Sequence, residues 1–501
     1  MIATLLRILI FAYAFNAFSL ITADSDLWGH IKFGEAAWSE KAPLKTDPYS
    51  YTAPGAPWVN HEWLTEVLFY LIYKVLGSGG LLGFKLLIGL SIVALLTRLA
   101  VEKENNIFIY FLIFVLLIPV LAPGFMARPQ LMSFLFMTLL VVLLHKFFDG
   151  QRGVLIWTPL LMIFWVNCHG GVVAGIGLYG AVTVSGWIRC RISGGPHGNI
   201  LLKYFALSCA GLLINPWGYQ LWQFFYQSLT LPRAIAEWEP VTLFNASFPE
   251  FKIMVLLFLG SLAIPGRKRI WEIVMIAGAL YFALQHQRHT VLAAIIMTPY
   301  LTAQGSRLAD RLEPGKFFRI PSSPWIRATI QGTLILLIAL QVFGGFSKYR
   351  VTGFRILVEP AIYPTYAVQF MEANRIDGNL LVPFDWGEYL IWKRPGSKVS
   401  IDGRFRTVYP EKVIQENEDF AAARPGWRAM LENYPADIVI LRKPQQTRHP
   451  LKGEKGWMKI YEDPLAMIFI RKTTPPGPIE QKALSRDLIR PTPPPPLTFP
   501  G

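Results

Sequence analysis

The sequence predicts a polytopic α-helical membrane body followed by a small water-soluble α/β domain. Three observations carry this. The 501-residue chain is 53% hydrophobic and only 16% charged, with mean hydropathy +0.37; soluble globular chains carry about 25% charged residues. The deficit is uneven. Up to Gly345 there are 25 basic and 16 acidic residues, whereas the remaining 156 positions hold 23 and 17. Finally, the charge-poor part contains about eleven apolar runs, each near the ~20 residues that a bilayer requires. This composition excludes a disordered chain, a coiled coil and an ordinary cytosolic enzyme.

The apolar runs fall near residues 2–21, 81–99, 107–121, 131–144, 155–166, 172–187, 201–214, 253–264, 271–284, 291–303 and 328–343. The first has the look of a signal peptide. Its length, and the lack of a small-x-small cleavage site before Asp24, make it a first spanning helix instead. Residues 63–76 are amphipathic and short, so they are expected to lie flat on the membrane surface. The glycine-rich stretch 77–83 then breaks the chain before the second span. Orientation follows from the basic loops. With the N-terminus inside, Arg98 and Lys103, Lys146 and Arg152, Arg189 and Arg191, Arg267 to Arg269, and Arg307 to Arg327 all fall on the cytoplasmic side, as the positive-inside rule requires. An odd number of spans puts the soluble domain outside.

In that domain, residues 379–382, 398–401, 438–442 and 466–471 read as strands, and 410–423 and 426–434 as helices, a small α/β pattern. The resulting organisation is a transmembrane domain at 1–345, with its first outer loop at 23–80, an extracytoplasmic α/β domain at 346–475, and a Pro-rich, extended and disordered tail at 476–501. Cys168, Cys190 and Cys209 show no disulfide or zinc spacing.

Polar chemistry sorts to the outer side. Its loops carry Asp24, Asp26, His30, Asp47, Asn60-His61-Glu62, Arg128, Asn167-Cys168-His169, Glu237, Glu239 and His286-Gln287-Arg288-His289, with five of the eight histidines. Ionisable groups at a membrane boundary are costly and are kept mainly where they line a cavity or pathway. Asp24 and Asp26, at i and i+2, can share a divalent ion, or one can serve as general base while the other orients it; a solvated helix end is the plainer reading. His61, Glu62 and His169 are further acid/base or ligand candidates. Arg128 and Arg288, the latter flanked by His286 and His289, suit a phosphate clamp because guanidinium binds phosphate bidentately and stays charged; snorkelling to lipid head groups is the alternative. Glu237 and Glu239 could position an acceptor, or their loop could simply anchor through its tryptophans.

Asp24-Ser25-Asp26-Leu27-Trp28-Gly29-His30, with Thr46-Asp47-Pro48-Tyr49-Ser50-Tyr51 and His61-Glu62-Trp63-Leu64, resembles bacterial multispan proteins of the GT-C glycosyltransferase type. That class includes protein mannosyltransferases, lipid A aminoarabinose transferases and oligosaccharyltransferase catalytic subunits. The resemblance implies many spans, an acidic first outer loop, often a soluble C-terminal domain, and sugar transfer from a polyprenyl-phosphate carrier. By it, Asp24 or Asp26 would be the catalytic base or a ligand of Mg²⁺ or Mn²⁺. Phe384-Asp385-Trp386-Gly387-Glu388-Tyr389 resembles the Trp-Trp-Asp-Tyr-Gly acceptor motif of oligosaccharyltransferases, but with a single Trp before the Gly; the plainer reading is a strand and turn packing its aromatics. Asp402-Gly403-Arg404 can offer a carboxylate and a guanidinium at a strand's C-terminal edge, or Asp402 can pair with Arg404 or Arg406.

The expected function is therefore transfer of a sugar from a polyprenyl-phosphate-linked donor to a lipid, polysaccharide or protein at the outer face of the bacterial inner membrane, with the C-terminal domain periplasmic. The expected catalytic residues are Asp24, Asp26, His61 and Glu62. Arg128, Arg288, His286 and His289 are expected on the donor phosphate, and Glu237, Glu239, Asp385, Trp386, Glu388, Asp402 and Arg404 on the acceptor. Asp24, Asp26 and His169 are the expected metal ligands. Membrane lipids are expected partners and nucleic acid is not, since the net charge of +15 is spread over loops rather than forming a stripe. A transporter or flippase of lipid-linked sugars, or a non-catalytic assembly protein, are the rival readings. There is no Walker loop, dinucleotide fingerprint, G-x-S-x-G or H-E-x-x-H.

Overall fold

The computed structural model describes the chain except for residues 104–105, 194–196, 231–237, 243, 267, 313–322, 444–448 and 491–496. The chain divides into two compact units: Met1–Leu20 with Leu82–Arg350, and Ile21–Leu81 with Val351–Gly501.

The first unit is helical, because in hydrocarbon a helix satisfies its own backbone polar groups. Helices α1 (Ile2–Phe18) to α13 run along the chain, and α2 (Leu27–Glu40) belongs to the second unit. They continue as α3 (Trp63–Glu102), α4 (Ile107–Leu121), α5 (Gln130–Phe148), α6 (Trp157–Cys168) and α7 (Val172–Ser193). Then follow α8 (His197–Gly211), α9 (Gln220–Thr230), α10 (Pro249–Leu262), α11 (Ile270–Gln285), α12 (Thr290–Leu312) and α13 (Pro324–Ser347). Each of the eleven apolar runs read from the sequence falls on a helix. Among the described residues, five helices are long and apolar enough to cross a membrane: Trp63–Glu102, Ile107–Gly124, Gln130–Phe148, Val172–Ile192 and Pro324–Ser347. Three shorter apolar helices join them, Ile2–Phe18, Arg152–Cys168 and Ile270–Gln285. α1 packs on α4 and α13, α12 on α4, α5, α10 and α11, and α8 on α6 and α7. Leu336, Leu340 and Phe343 of α13 remain exposed, as side chains that face lipid must. The protein is a membrane protein.

α3 is interrupted at Gly77, which takes φ 64° and ψ −163°. That left-handed conformation suits glycine, and it divides the helix where the sequence places a break. The upstream piece folds with the second unit and the downstream piece with the first.

Loops of the first unit contact one another in two sets. Lys103, between α3 and α4, lies 3.1 Å from Asp149, between α5 and α6. Arg269, before α11, lies 2.7 Å from the same carboxylate. In the other set, Asn167 Nδ2 donates to the Ile214 carbonyl at 2.8 Å, and Gln287 N–H donates to the Glu239 carbonyl at 2.9 Å.

The second unit joins the first outer loop to the C-terminal segment. Its strands are β1 (Leu357–Val358), β2 (Leu380–Leu381), β3 (Ile438–Arg442), β4 (Trp457–Glu462), β5 (Ala466–Arg471) and β6 (Leu497–Thr498). β1 pairs antiparallel with β6; the other four form a sheet in the order β2-β3-β5-β4, parallel only between β2 and β3. Helices α14 (Thr365–Asn374), α15 (Gly387–Lys393), α16 (Glu411–Ala421), α17 (Ala429–Glu432) and α18 (Pro478–Leu484) complete it. Isolated bridges tie the loop to this unit: Thr22 to Leu357 of β1, and Ser50 to Val399, which also bridges Leu380 of β2; residues 398–401 form no strand of their own. One apolar cluster holds Leu381, Phe420, Val439, Trp457, Met467 and Phe469, and Tyr51 of the loop packs within it. A second joins Phe33 and Trp58 of the loop to Ile401, Val408, Val413 and Ile414.

Two sequence expectations are corrected here. Residues 384–392 are not a strand and turn but a short 3-10 turn, Phe384–Trp386, leading into α15. The segment after residue 475 is not wholly disordered: it carries α18 and β6, and the Pro500 carbonyl accepts from Trp28 Nε1 at 2.9 Å. The Pro491–Pro496 run lies outside the described residues.

Candidate active site

The site is built around the start of α2. Asp26 is its N-cap residue. Asp24 turns back so that its Oδ1 accepts the Asp26 amide at 3.1 Å, and Ser25 Oγ donates to Asp26 Oδ1 at 3.1 Å. One turn into α2, Gly29 leaves an opening that the Glu388 side chain of α15 fills: a Cβ at position 29 would stand 2.0 Å from Glu388 Oε2. Gly403 makes a second opening. A Cβ there would lie 2.6 Å from Glu388 Oε1 and 2.7 Å from Asp26 Oδ1, so the two carboxyl groups converge on one point. Glu388 is only 4% exposed, and among the described residues its Oε2 has no hydrogen-bond partner. Burial first, then the charges of Asp26 and Asp402, push its carboxyl well above the usual range, against the pull of Arg404.

Beside it lies a second polar group. His30 of α2 holds its Nδ1 3.2 Å from Glu66 Oε1, and Asn60 Nδ2 donates to the other oxygen of Glu66 at 2.5 Å. Glu62 precedes Glu66 by one helical turn, and His61 Nε2 lies 3.6 Å from Glu62 Oε1. One donor atom each from His30, Glu62 and Glu66 lie within 4.8 Å of one another. Burial disfavours a charged His30, but the Glu66 contact and the charges of Glu62, Glu66 and Asp26 outweigh it and raise its pKa. α2 reaches this depth because Gly34 lies on the Glu66 carbonyl, where a Cβ would come within 2.0 Å.

Asp402 and Arg404 form a closed cluster. Arg404 donates from Nε and Nη2 to Asp402 at 2.8 and 2.6 Å, and from Nη1 to Asp47 at 2.7 Å. Tyr409 donates to Asp402 Oδ2 at 2.6 Å. The guanidinium lies 5.1, 5.2 and 4.8 Å from the ring centres of Phe33, Tyr49 and Trp58. Of the two pairings left open by the sequence, this is the Arg404 one; Arg406 binds Glu411 instead. Asp47 also caps its own turn, accepting the amides of Tyr49 and Ser50. Asp385 pairs with Arg442, whose guanidinium lies 4.7 Å from the centre of the fully buried Trp386 ring.

The other expected residues belong to the first unit. His286 Nδ1 donates to the Trp238 carbonyl at 2.8 Å, and Arg288 lies 5.0 Å from the centre of the Trp238 ring. His289 packs edge-on to the rings of Trp238 and His286; burial and then Arg288 lower its pKa to about 3. Glu239 is exposed beside this group. Arg128 is half-buried between α4 and α5. His169 Nδ1 accepts from the Ser133 hydroxyl and the Gly171 amide at 2.7 and 3.0 Å. Glu237 lies outside the described residues. Asp24, Asp26, His61, Glu62, Asp385, Trp386, Glu388, Asp402 and Arg404 thus share one unit, while Arg128, His169, Glu239, His286, Arg288 and His289 share the other. Sequence reasoning missed Glu66, and left Asn60 and His30 without a role. The four-residue spacing of Glu62 and Glu66 was the available signal, because it puts both on one helical face.

No protein-family model and no curated protein matches the chain. Solved structures do. One is the oligosaccharyltransferase of Archaeoglobus fulgidus in the apo form, 11% identical with TM-score 0.55 over 88% of this chain and 70% of that one. A second is the archaeal oligosaccharyltransferase AglB of A. fulgidus with an inhibitory peptide and a dolichol-phosphate, 11% identical, TM-score 0.53, over 96% and 77%. The third is ArnT of Cupriavidus metallidurans bound to undecaprenyl phosphate, 11% identical, TM-score 0.52, over 95% and 98%. The chain has a GT-C-type fold. ArnT matches over nearly its whole length, so the likeness takes in both membrane body and C-terminal unit.

Proposed function

We propose that this protein is a GT-C-type membrane glycosyltransferase that moves a sugar from a polyprenyl-phosphate-linked donor to an acceptor at the extracytoplasmic face of a bacterial inner membrane, with the C-terminal unit periplasmic. The observation that carries the reading is the convergence of Asp26 and Glu388 in a protein of this fold. Burial and the charges of Asp26 and Asp402 favour the protonated form of Glu388, and Asp26 is taken as the general base. Asp26 takes the proton of the acceptor hydroxyl as its oxygen bonds the anomeric carbon, and the bond from that carbon to the lipid phosphate breaks. Arg288, ordered by Trp238 and flanked by His286 and His289, is the first unit's candidate for the lipid phosphate, with Arg128 as a second. Preorganised cations at developing charge are an effective source of catalysis. Glu239 in the first unit and Asp385 in the second are the candidates for the acceptor, a lipid, polysaccharide or protein.

The Mg²⁺ or Mn²⁺ that the fold implies was expected on Asp24, Asp26 and His169. Asp24 and Asp26 are the members of that set in the second unit, where Asp24 Oδ1 accepts the Asp26 amide; His169 is in the first unit, where its Nδ1 accepts from Ser133 and Gly171. No step is routed through an ion. The transporter alternative looked to polar groups within the spans. The clearest of these, Lys85, donates to the Leu20 carbonyl within the first unit, a structural use.

The test is sugar transfer from an undecaprenyl-phosphate-linked donor by membranes carrying Asp26→Asn or Asp24→Asn. Asp26→Asn should lose about 10²–10⁴-fold in rate, the usual scale for a general base. Asp24→Asn should lose less, since it acts through an amide. Unchanged turnover in both removes the acid from the mechanism.

A further inference from the structure

We propose that His30, Glu62 and Glu66 form a binding site for a first-row divalent transition-metal ion of the Zn²⁺ or Mn²⁺ kind, separate from the expected Asp24, Asp26 and His169 set. The ligand atoms come from two helices already fixed against each other: His30 from the second turn of α2, and Glu62 and Glu66 one turn apart at the start of α3. Their donor atoms lie within 4.8 Å of one another, so small rotations bring all three to the ~2.0–2.2 Å that zinc requires. Backbone contact of Gly34 with Glu66 fixes the distance between the helices.

The donor chemistry selects the class of ion. One imidazole with two carboxylates suits zinc, manganese or ferrous iron better than magnesium or calcium, which prefer all-oxygen shells. Three protein ligands leave a position open for water or a ligand, as in catalytic rather than structural zinc sites. The outer contacts match as well: Asn60 holds the second oxygen of Glu66, the kind of support that orients metal ligands.

A second geometric observation lies beside the cluster: Glu388, 4% exposed and with an Oε2 that has no hydrogen-bond partner among the described residues, sits over Gly29, the residue before His30. An imidazolium bridging the glutamates is the metal-free alternative.

The experiment uses the full-length protein in detergent, stripped with a chelator, then titrated with Co²⁺ and competed with Zn²⁺. The expected result is one ion per chain, a visible Co²⁺ ligand-field band abolished by stoichiometric Zn²⁺, and at least tenfold weaker binding in His30→Ala and Glu66→Gln. His286→Ala, in the other unit, should bind as the wild type does. If His30→Ala does not fold, Glu62→Gln, whose side chain is 20% exposed, gives the same reading. Wild-type binding no tighter than in the His30→Ala/Glu66→Gln double variant, or loss of the band in His286→Ala, overturns the proposal. Because binding is read directly, the site stands or falls apart from the transfer reaction.

Discussion

Two buried charge clusters lie in the same unit, each built from the first loop and the C-terminal segment, and they differ in one respect. Around Arg404 the charges close. The guanidinium binds Asp402 and Asp47, Tyr409 completes the carboxylate, and aromatic rings cover the rest. Around Glu388 the polar groups are less complete: its carboxyl converges with that of Asp26 at Gly403, and among the described residues its Oε2 has no hydrogen-bond partner. Buried ionic groups that satisfy one another specify structure; those left unbalanced are where chemistry or an ion is accommodated.

The largest expected effect breaks the closed cluster. Arg404→Met leaves Asp402 and Asp47 buried without a counter-charge, which costs about 3–5 kcal/mol. Unfolding of the unit at a lower temperature, or its proteolysis at 25 °C, would be the reading. Glu388→Gln, which removes a proton-holding carboxyl while keeping its shape, should leave that unfolding temperature nearly unchanged.

Next comes Gly29→Ala. Its Cβ would stand 2.0 Å from Glu388 Oε2, so the carboxyl must move. Overpacking of this kind costs about 1–3 kcal/mol. Transfer should fall at least tenfold, whereas Gly83→Ala, where a Cβ meets nothing within 4 Å, should be close to wild type.

The two clusters also differ in pH response. Glu388's pKa is raised in the folded protein, so the stability it contributes is full below the unfolded carboxyl pKa and is lost as pH rises through the folded value. The loss runs at about 1.4 kcal/mol per pH unit while one proton leaves. Unfolding temperature should therefore drop in the wild type as pH rises above the ordinary carboxyl range, and the drop should be shallower in Glu388→Gln.

Much of this was legible in the sequence, for identifiable reasons. Lipid contact demands apolar helices, so hydropathy located every run in the membrane body. Gly77 punctuated α3 because only glycine takes that backbone angle cheaply. The Asp26–Glu388 meeting was not legible: each residue was singled out, one as catalytic and one for the acceptor, but no local pattern links residues so far apart. Residues 384–392 were misread as strand and turn because aromatic density favours strands, whereas Gly387 in fact opens α15 by fitting against the Ile401 carbonyl. Glu66 escaped notice because it sits inside an apolar helical run.

The smallest effect concerns the rim. Asp385 is 42% exposed in its pair with Arg442, and partly exposed pairs contribute about 1 kcal/mol or less. Asp385→Asn should shift stability by no more than that. A rise in KM for the acceptor with kcat unchanged would assign Asp385 to acceptor binding.

The most direct measurement is a double-mutant cycle of transfer rate on Asp26→Asn and Glu388→Gln, in protein whose unfolding temperature matches the wild type. Residues that act as one unit are strongly non-additive. The account predicts that Asp26→Asn loses most of the activity, that Glu388→Gln, a neutral stand-in for the protonated acid, keeps most of it, and that the double variant is no worse than Asp26→Asn alone. Near-wild-type turnover in Asp26→Asn, or a double variant much worse than Asp26→Asn, would contradict it.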